Sequence, residues 1–133
     1  MSHDGFAVPI EQRYFEDYIV GSIHDCGTFV VDEREVIEFA TRYDPQPFHI
    51  DPVAAQQTPF GGLIASGWHT AALMMRQYVD HYLSHVASLA SPGIDELRWL
   101  RPVRPGDTLT VRATVLEANR SRSKPDRGII RTL

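Results

Sequence analysis

The sequence predicts an α+β protein in which one antiparallel sheet wraps around a single apolar helix. Residues 108–115 alternate strictly: Leu109, Val111, Ala113 and Val115 fall between Thr108, Thr110, Arg112 and Thr114. That period of two marks a half-buried antiparallel strand. Upstream, LIASGWHTAALMMRQYVDHYLSHV (residues 63–86) is the longest helical candidate, and its first half is almost wholly apolar or small. Such a helix is expected to be buried on most sides, and about 20 residues of it span roughly 30 Å. Helices grouped ahead of antiparallel strands, rather than alternating with them, mean α+β.

The elements follow in order. Residues 1–13 read as a loose lead-in. Short apolar pieces follow, broken by Gly21 and Gly27, and TFVV (28–31) reads as a strand. Asp32 with Glu35 three positions on forms a capping-box pattern. Val36, Ile37, Ala40 and Tyr43 then recur at helical spacing, predicting an amphipathic helix over 33–43 with Tyr43 on its packing face. Pro45 ends it, because the residue before a proline is pushed out of the α region. Asp51 and Pro52 supply the cap and first position of a short helix through Gln57. TPFGG (58–62) breaks the chain before the long helix. Beyond Gly93, IDELRWLRPV (94–103) suggests a strand and RPGD a turn. SKPDRG makes a second turn, and IIRTL begins a last strand.

Composition narrows the function. The chain has 133 residues, enough for one domain with a real core. Its formal net charge of −4 provides no general basic surface, so nucleic acid is not an expected partner. Cys26 is the only cysteine, which rules out an intrachain disulfide and fits a reducing, cytoplasmic setting. No run approaches bilayer-spanning length, and the N-terminal residues lack a signal-peptide apolar core.

RYDPQPFHIDP (42–52) sets Asp44 and His49 five residues apart with Pro45 and Pro47 between them. Two prolines stiffen the segment, and catalytic groups gain from being fixed in advance. An Asp and a His held this way can exchange protons with a bound molecule. Spacing alone favours a plainer pair, an Asp bonding turn amides and a satisfied, half-buried His, because short Asp/His combinations often occur by accident.

The stretch RYDPQPFHID followed by FGGLIASG resembles the MaoC-like dehydratases, a family that includes R-specific enoyl-CoA hydratases. Asp44, Pro45, Gln46, Pro47, Phe48 and His49 fill the family's Asp-to-His pattern, and Gly67 stands eighteen residues after the His. Gln46 replaces the usual Asn but keeps an amide donor and acceptor. Ser66 stands where many relatives carry His. The likeness continues through SGWHTAALMMR and GIDELRWLRPVRPGD.

The resemblance implies one hot-dog domain over residues 1–133, a curled antiparallel sheet around a central helix, forming a homodimer or higher homo-oligomer. Such a sheet usually has five or more strands and relatives continue past this point, so IIRTL is expected to be incomplete here or completed by a partner copy. The resemblance also implies roles. Asp44 and His49 form an acid/base dyad, and the Gly67 N–H binds a thioester oxygen. Substrate contacts are expected from Gln46, Phe48, Phe60, Gly62 and Ser66, with Arg122 and Lys124 toward the phosphates. The substrate is an acyl-CoA thioester, with no separate cofactor, no metal and no membrane partner. Two other hot-dog activities compete: a thioesterase, and a non-catalytic acyl-CoA-binding or partner subunit. A hot-dog thioesterase usually needs a carboxylate on the central helix, and residues 63–79 contain none.

Elsewhere, His81 and His85 are four apart but lack a zinc-protease glutamate, so an exposed polar face is expected. Trp68, Met74, Met75 and Trp99 are expected in the core.

Overall fold

A computed structural model describes residues 5–133. The elements are β1 (Ile23–Val30), α1 (Glu33–Tyr43), α2 (Pro47–Ile50), α3 (Pro52–Gln56), α4 (Gly67–His81), β2 (Thr108–Arg120) and β3 (Gly128–Thr132). The strands form a sheet in the order β1–β2–β3. β2 and β3 pair antiparallel from Arg120↔Gly128 to Val115↔Thr132, with a register shift between Val115 and Glu117. Such a bulge bends a strand and increases its twist.

Local signals fix several boundaries. The Asp32 carboxylate accepts from Glu35 N–H at 3.1 Å and starts α1 at the expected residue. Asp51 accepts from Val53 and Ala54 N–H at 3.0 and 3.1 Å and starts α3 in the same way. Each carboxylate satisfies helix N–H groups that have no intrahelical partner.

The chain divides into two compact units. One comprises the described part of Met1–Gly27, with Arg76–Ser91 and Thr110–Leu133. Its core is Tyr18, Cys26, Tyr82, Ala113 and Val115, with Tyr78, Val111 and Ile130 packed against it. The buried alternation of β2 continues here, Ala113 and Val115 in and Arg112 out. Within the predicted lead-in, Ile10–Gln12 form a 3-10 turn and Arg13 is buried, donating to the carbonyls of His81 (2.9 Å) and Tyr82 (3.1 Å). Residues 1–4 of that lead-in lie outside the described residues.

The other unit comprises Thr28–Met75 and Pro92–Leu109, with a core of Val31, Val36 and Ala65 backed by Phe29, Val103 and Leu109. Here the structure departs from the expectations. The long helix starts at Gly67, not residue 63. Leu63, Ile64, Ala65 and Ser66 lie outside any helix and are buried, with Ile64 N–H on Phe48 O (3.0 Å) and Ala65 N–H on Val103 O (2.7 Å). The predicted strand 94–103 is irregular. Leu97 is the least exposed of residues 94–100, and Pro102 removes an N–H a ladder would need. Its backbone instead bonds the 63–66 segment through Val103.

Trp68 and Trp99 are not core: they are 59 and 48 % exposed and pack edge to face on each other. Met75 is also exposed, Met74 is half-buried, and His69 is the buried residue of α4. Tyr43 is exposed as well, its ring tilted against Phe39 with the Arg42 guanidinium over its face. Among the described residues no helix is long and apolar enough to cross a membrane.

Candidate active site

The site grows out of the end of α1. Asp44 caps that helix with its N–H on Ala40 O (2.8 Å), and its backbone, φ −153° and ψ 64°, turns the chain out of the helix. Pro47 occupies the first turn of α2, where its missing N–H costs no helical bond. The rigid loop expected from the two prolines is therefore a turn joined to one turn of helix. His49 N–H bonds Gln46 O (2.9 Å), and the His49 side chain points inward, buried.

His49 Nδ1 lies 2.6 Å from Ile64 O. A carbonyl oxygen only accepts, so Nδ1 carries the proton of that bond. Nε2 is left facing Asp44 Oδ2 at 3.3 Å. Nε2 is thus the ring atom able to hold or release a mobile proton. Phe48 packs edge-on against the imidazole at 4.5 Å, closing one side.

The second Asp44 oxygen, Oδ1, accepts from the Gln46 amide at 2.7 Å. That bond is the main cause holding the Asp44 pKa below its ordinary value; the Ser66 hydroxyl and the His49 charge act in the same direction. Ser66 is fully buried, and its hydroxyl forms no bond of normal hydrogen-bond geometry, so it acts on the carboxylate at longer range.

A cavity of about 330 Å³ opens beside the pair. Its lining includes Phe48, His49, Gly67, Thr70, Trp99 and Arg101. Gly67 is the first residue of α4, where helix N–H groups lack intrahelical acceptors and the dipole favours negative charge. The N–H groups of His69 and Thr70 turn back to Ser66 O, at 3.0 and 3.1 Å.

Of the residues singled out from sequence, Asp44, Gln46, His49 and Ser66 cluster, and Phe48 and Gly67 share the cavity with His49. Phe60 touches Phe48 (5.4 Å between ring centres) but does not line the cavity. Gly62 lies near the Arg104 guanidinium, also off the cavity wall. Arg122 and Lys124 sit exposed in a turn of the other unit. Sequence reasoning missed Trp99, Thr70 and Arg101. The RWLRP stretch was the available signal, but reading it as strand placed Trp99 in a core. His81 and His85 are exposed, as expected. Among the described residues no cluster of three or more His, Cys, Asp or Glu is placed to hold a metal.

Residues 21–132 match the family model described as MaoC like domain. The structure superposes on the MaoC-like dehydratase from Rhodospirillum rubrum with a TM-score of 0.80 at 43% identity, covering 90% of this chain and 82% of that one. R-hydratase PhaJ1 from Pseudomonas aeruginosa, unliganded, gives a TM-score of 0.61 at 25% identity, covering 89% of this chain and 80% of that one. A 3-hydroxybutyryl-CoA dehydratase from Methylorubrum extorquens is 32% identical over 111 residues, 78% of this chain but 64% of that protein. The curled antiparallel sheet with its long helix is the hot-dog fold of these hydratases.

Proposed function

We propose, from the premise that this chain belongs to the MaoC-like domain family, that it reversibly hydrates a trans-2-enoyl-CoA thioester. Family membership supports a hydratase or dehydratase at the level of reaction class. The finer reading is carried by one observation: a buried imidazole, 3.3 Å from a carboxylate, lines the same cavity as the helix-initiating Gly67.

In this reading the enoyl group lies with its thioester oxygen on the Gly67 N–H. Water, held between Asp44 and His49, adds its oxygen to C3. Asp44 takes one proton from that water, and the dyad returns a proton to C2, so the sum is one water added across the double bond. Negative charge that builds on the thioester oxygen is met by the N–H; losing such a donor costs about 3–4 kcal/mol in comparable sites. The Ile64 carbonyl keeps the imidazole turned so that Nε2, not Nδ1, faces the reacting water. Gln46 keeps Asp44 ionised and oriented.

CoA belongs to the substrate, so no separate cofactor is assigned. Its phosphates need cationic or N–H partners, and Arg101 on the cavity wall is a candidate. A homodimer or higher homo-oligomer in the cytoplasm completes the proposal. Mixing the protein with crotonyl-CoA should bleach the ultraviolet band of the conjugated thioester without releasing free thiol. Thiol release would make it a thioesterase, and unchanged absorbance with tight binding would make it an acyl-CoA-binding subunit.

A further inference from the structure

We propose that Trp99 sets the size of the acyl group this cavity admits, an inference that rests on the reading of the site as an acyl-thioester pocket. A Cβ added to Gly67 would lie 2.3 Å from Trp99 Cε2 and 2.6 Å from Cδ2 and Nε1, so the indole lies directly on the glycine Cα. The indole N–H donates to the Gly67 carbonyl at 2.9 Å. That bond anchors the ring to the same peptide segment whose N–H is assigned to the thioester oxygen. Trp68 braces it from the side, ring centres 5.3 Å apart and planes at 76°.

Gly67 and Trp99 therefore form an interlocked pair. No side chain fits at 67 while the indole stays, and while it stays it walls the cavity beside the oxyanion position. The cavity, about 330 Å³, is at the small end of the roughly 300–1,000 Å³ usual for ligand sites. In this proposal the indole is the wall that a bulkier acyl group would meet on entering beside Gly67. Trp99 stands on an irregular segment, so replacing it opens the wall without removing a strand-ladder bond.

The test is calorimetric binding of two saturated, unreactive thioesters, butyryl-CoA and octanoyl-CoA, to the wild-type chain, Trp99→Ala and Trp99→Leu. The wild type should favour butyryl-CoA. The affinity ratio should move at least ten-fold toward octanoyl-CoA in Trp99→Ala and part of the way in Trp99→Leu, which serves alone if the alanine variant does not fold. A ratio within two-fold of wild type in a folded variant overturns the inference, as does a wild type that binds both thioesters equally or binds neither. Neither ligand has a double bond, so the readout is independent of hydration. A length shift in a protein that cannot hydrate crotonyl-CoA would count against the proposed reaction alone; hydration without a shift would count against Trp99 alone.

Discussion

Asp44 and His49 can be separated from the fold by substitution. Asp44 is partly solvent-exposed and its carboxylate forms no backbone cap, so Asp44→Asn should leave the folded state intact while kcat falls by about 10²–10⁴-fold, the usual worth of a positioned acid or base. His49→Gln should cost a similar factor. Normal turnover by either variant, with an unchanged circular dichroism spectrum, would refute the dyad. The pH dependence tests Gln46. The Asp44 pKa is held below its ordinary 3.8, chiefly by the Gln46 amide. The folded state therefore keeps this carboxylate ionised at a lower pH than the unfolded chain does. Whatever depends on it is fully present above 3.8 and is lost as pH falls through the lowered value. In Gln46→Leu the acid limb of kcat/KM assigned to Asp44 should move up in pH; a limb that does not move would detach Gln46 from the carboxylate's ionisation. The Asp–Gln–His trio was legible in the chain because its members are close in sequence. Ser66 and the Ile64 carbonyl were not legible as its partners, because only folding brings residues 63–66 against α2.

At the scale of elements, the capping carboxylates carry a measurable share of stability. Asp32→Ala and Asp51→Ala should each cost about 1 kcal/mol, read as a lower denaturant midpoint at constant m-value. The larger effect on activity is expected for Asp51→Ala, since α3 follows directly on the turn of helix that holds His49. Helix α4 adds a pH-sensitive contact within its unit. His69 is buried with its ring stacked on Phe39 of α1, centres 4.9 Å apart, and burial lowers its pKa below 6.5. The unfolded chain then takes up this proton before the folded one does. The stability tied to the neutral ring is whole above about pH 6.5 and declines as pH falls through that value toward the lowered one. His69→Phe keeps an aromatic partner for Phe39 and should flatten the thermal-stability profile between pH 7 and 5; an equally steep profile would place the sensitivity elsewhere. Helices 33–43 and 52–56 and the strand from 108 were readable because cap, proline and alternation signals act over a few residues. The 94–103 segment was misread because its apolar residues follow no period that a sheet face would require.

For the whole molecule, the proposed reaction draws on one carboxylate, one imidazole and one main-chain amide, all from Thr28–Met75. Prolonged dialysis against a chelator should therefore leave the rate of crotonyl-CoA hydration unchanged, and added divalent cations should not raise it. A chelator-sensitive rate would require a different assignment of the oxyanion partner. The chain's net charge of −4 likewise predicts no salt-dependent retention on DNA.

By itself the sequence determined the α+β class, the two capped helices, the alternating strand and the nearness along the chain of a carboxylate and an imidazole. Each is written in neighbouring residues, where backbone sterics and short side-chain bonds dominate. Only the tertiary structure decided that residues 63–66 stay out of the long helix, that the Ile64 carbonyl orients His49, and that Trp99 lies on Gly67 instead of in the core. Those outcomes depend on which surfaces distant segments leave open once packed, and no local pattern carries that information.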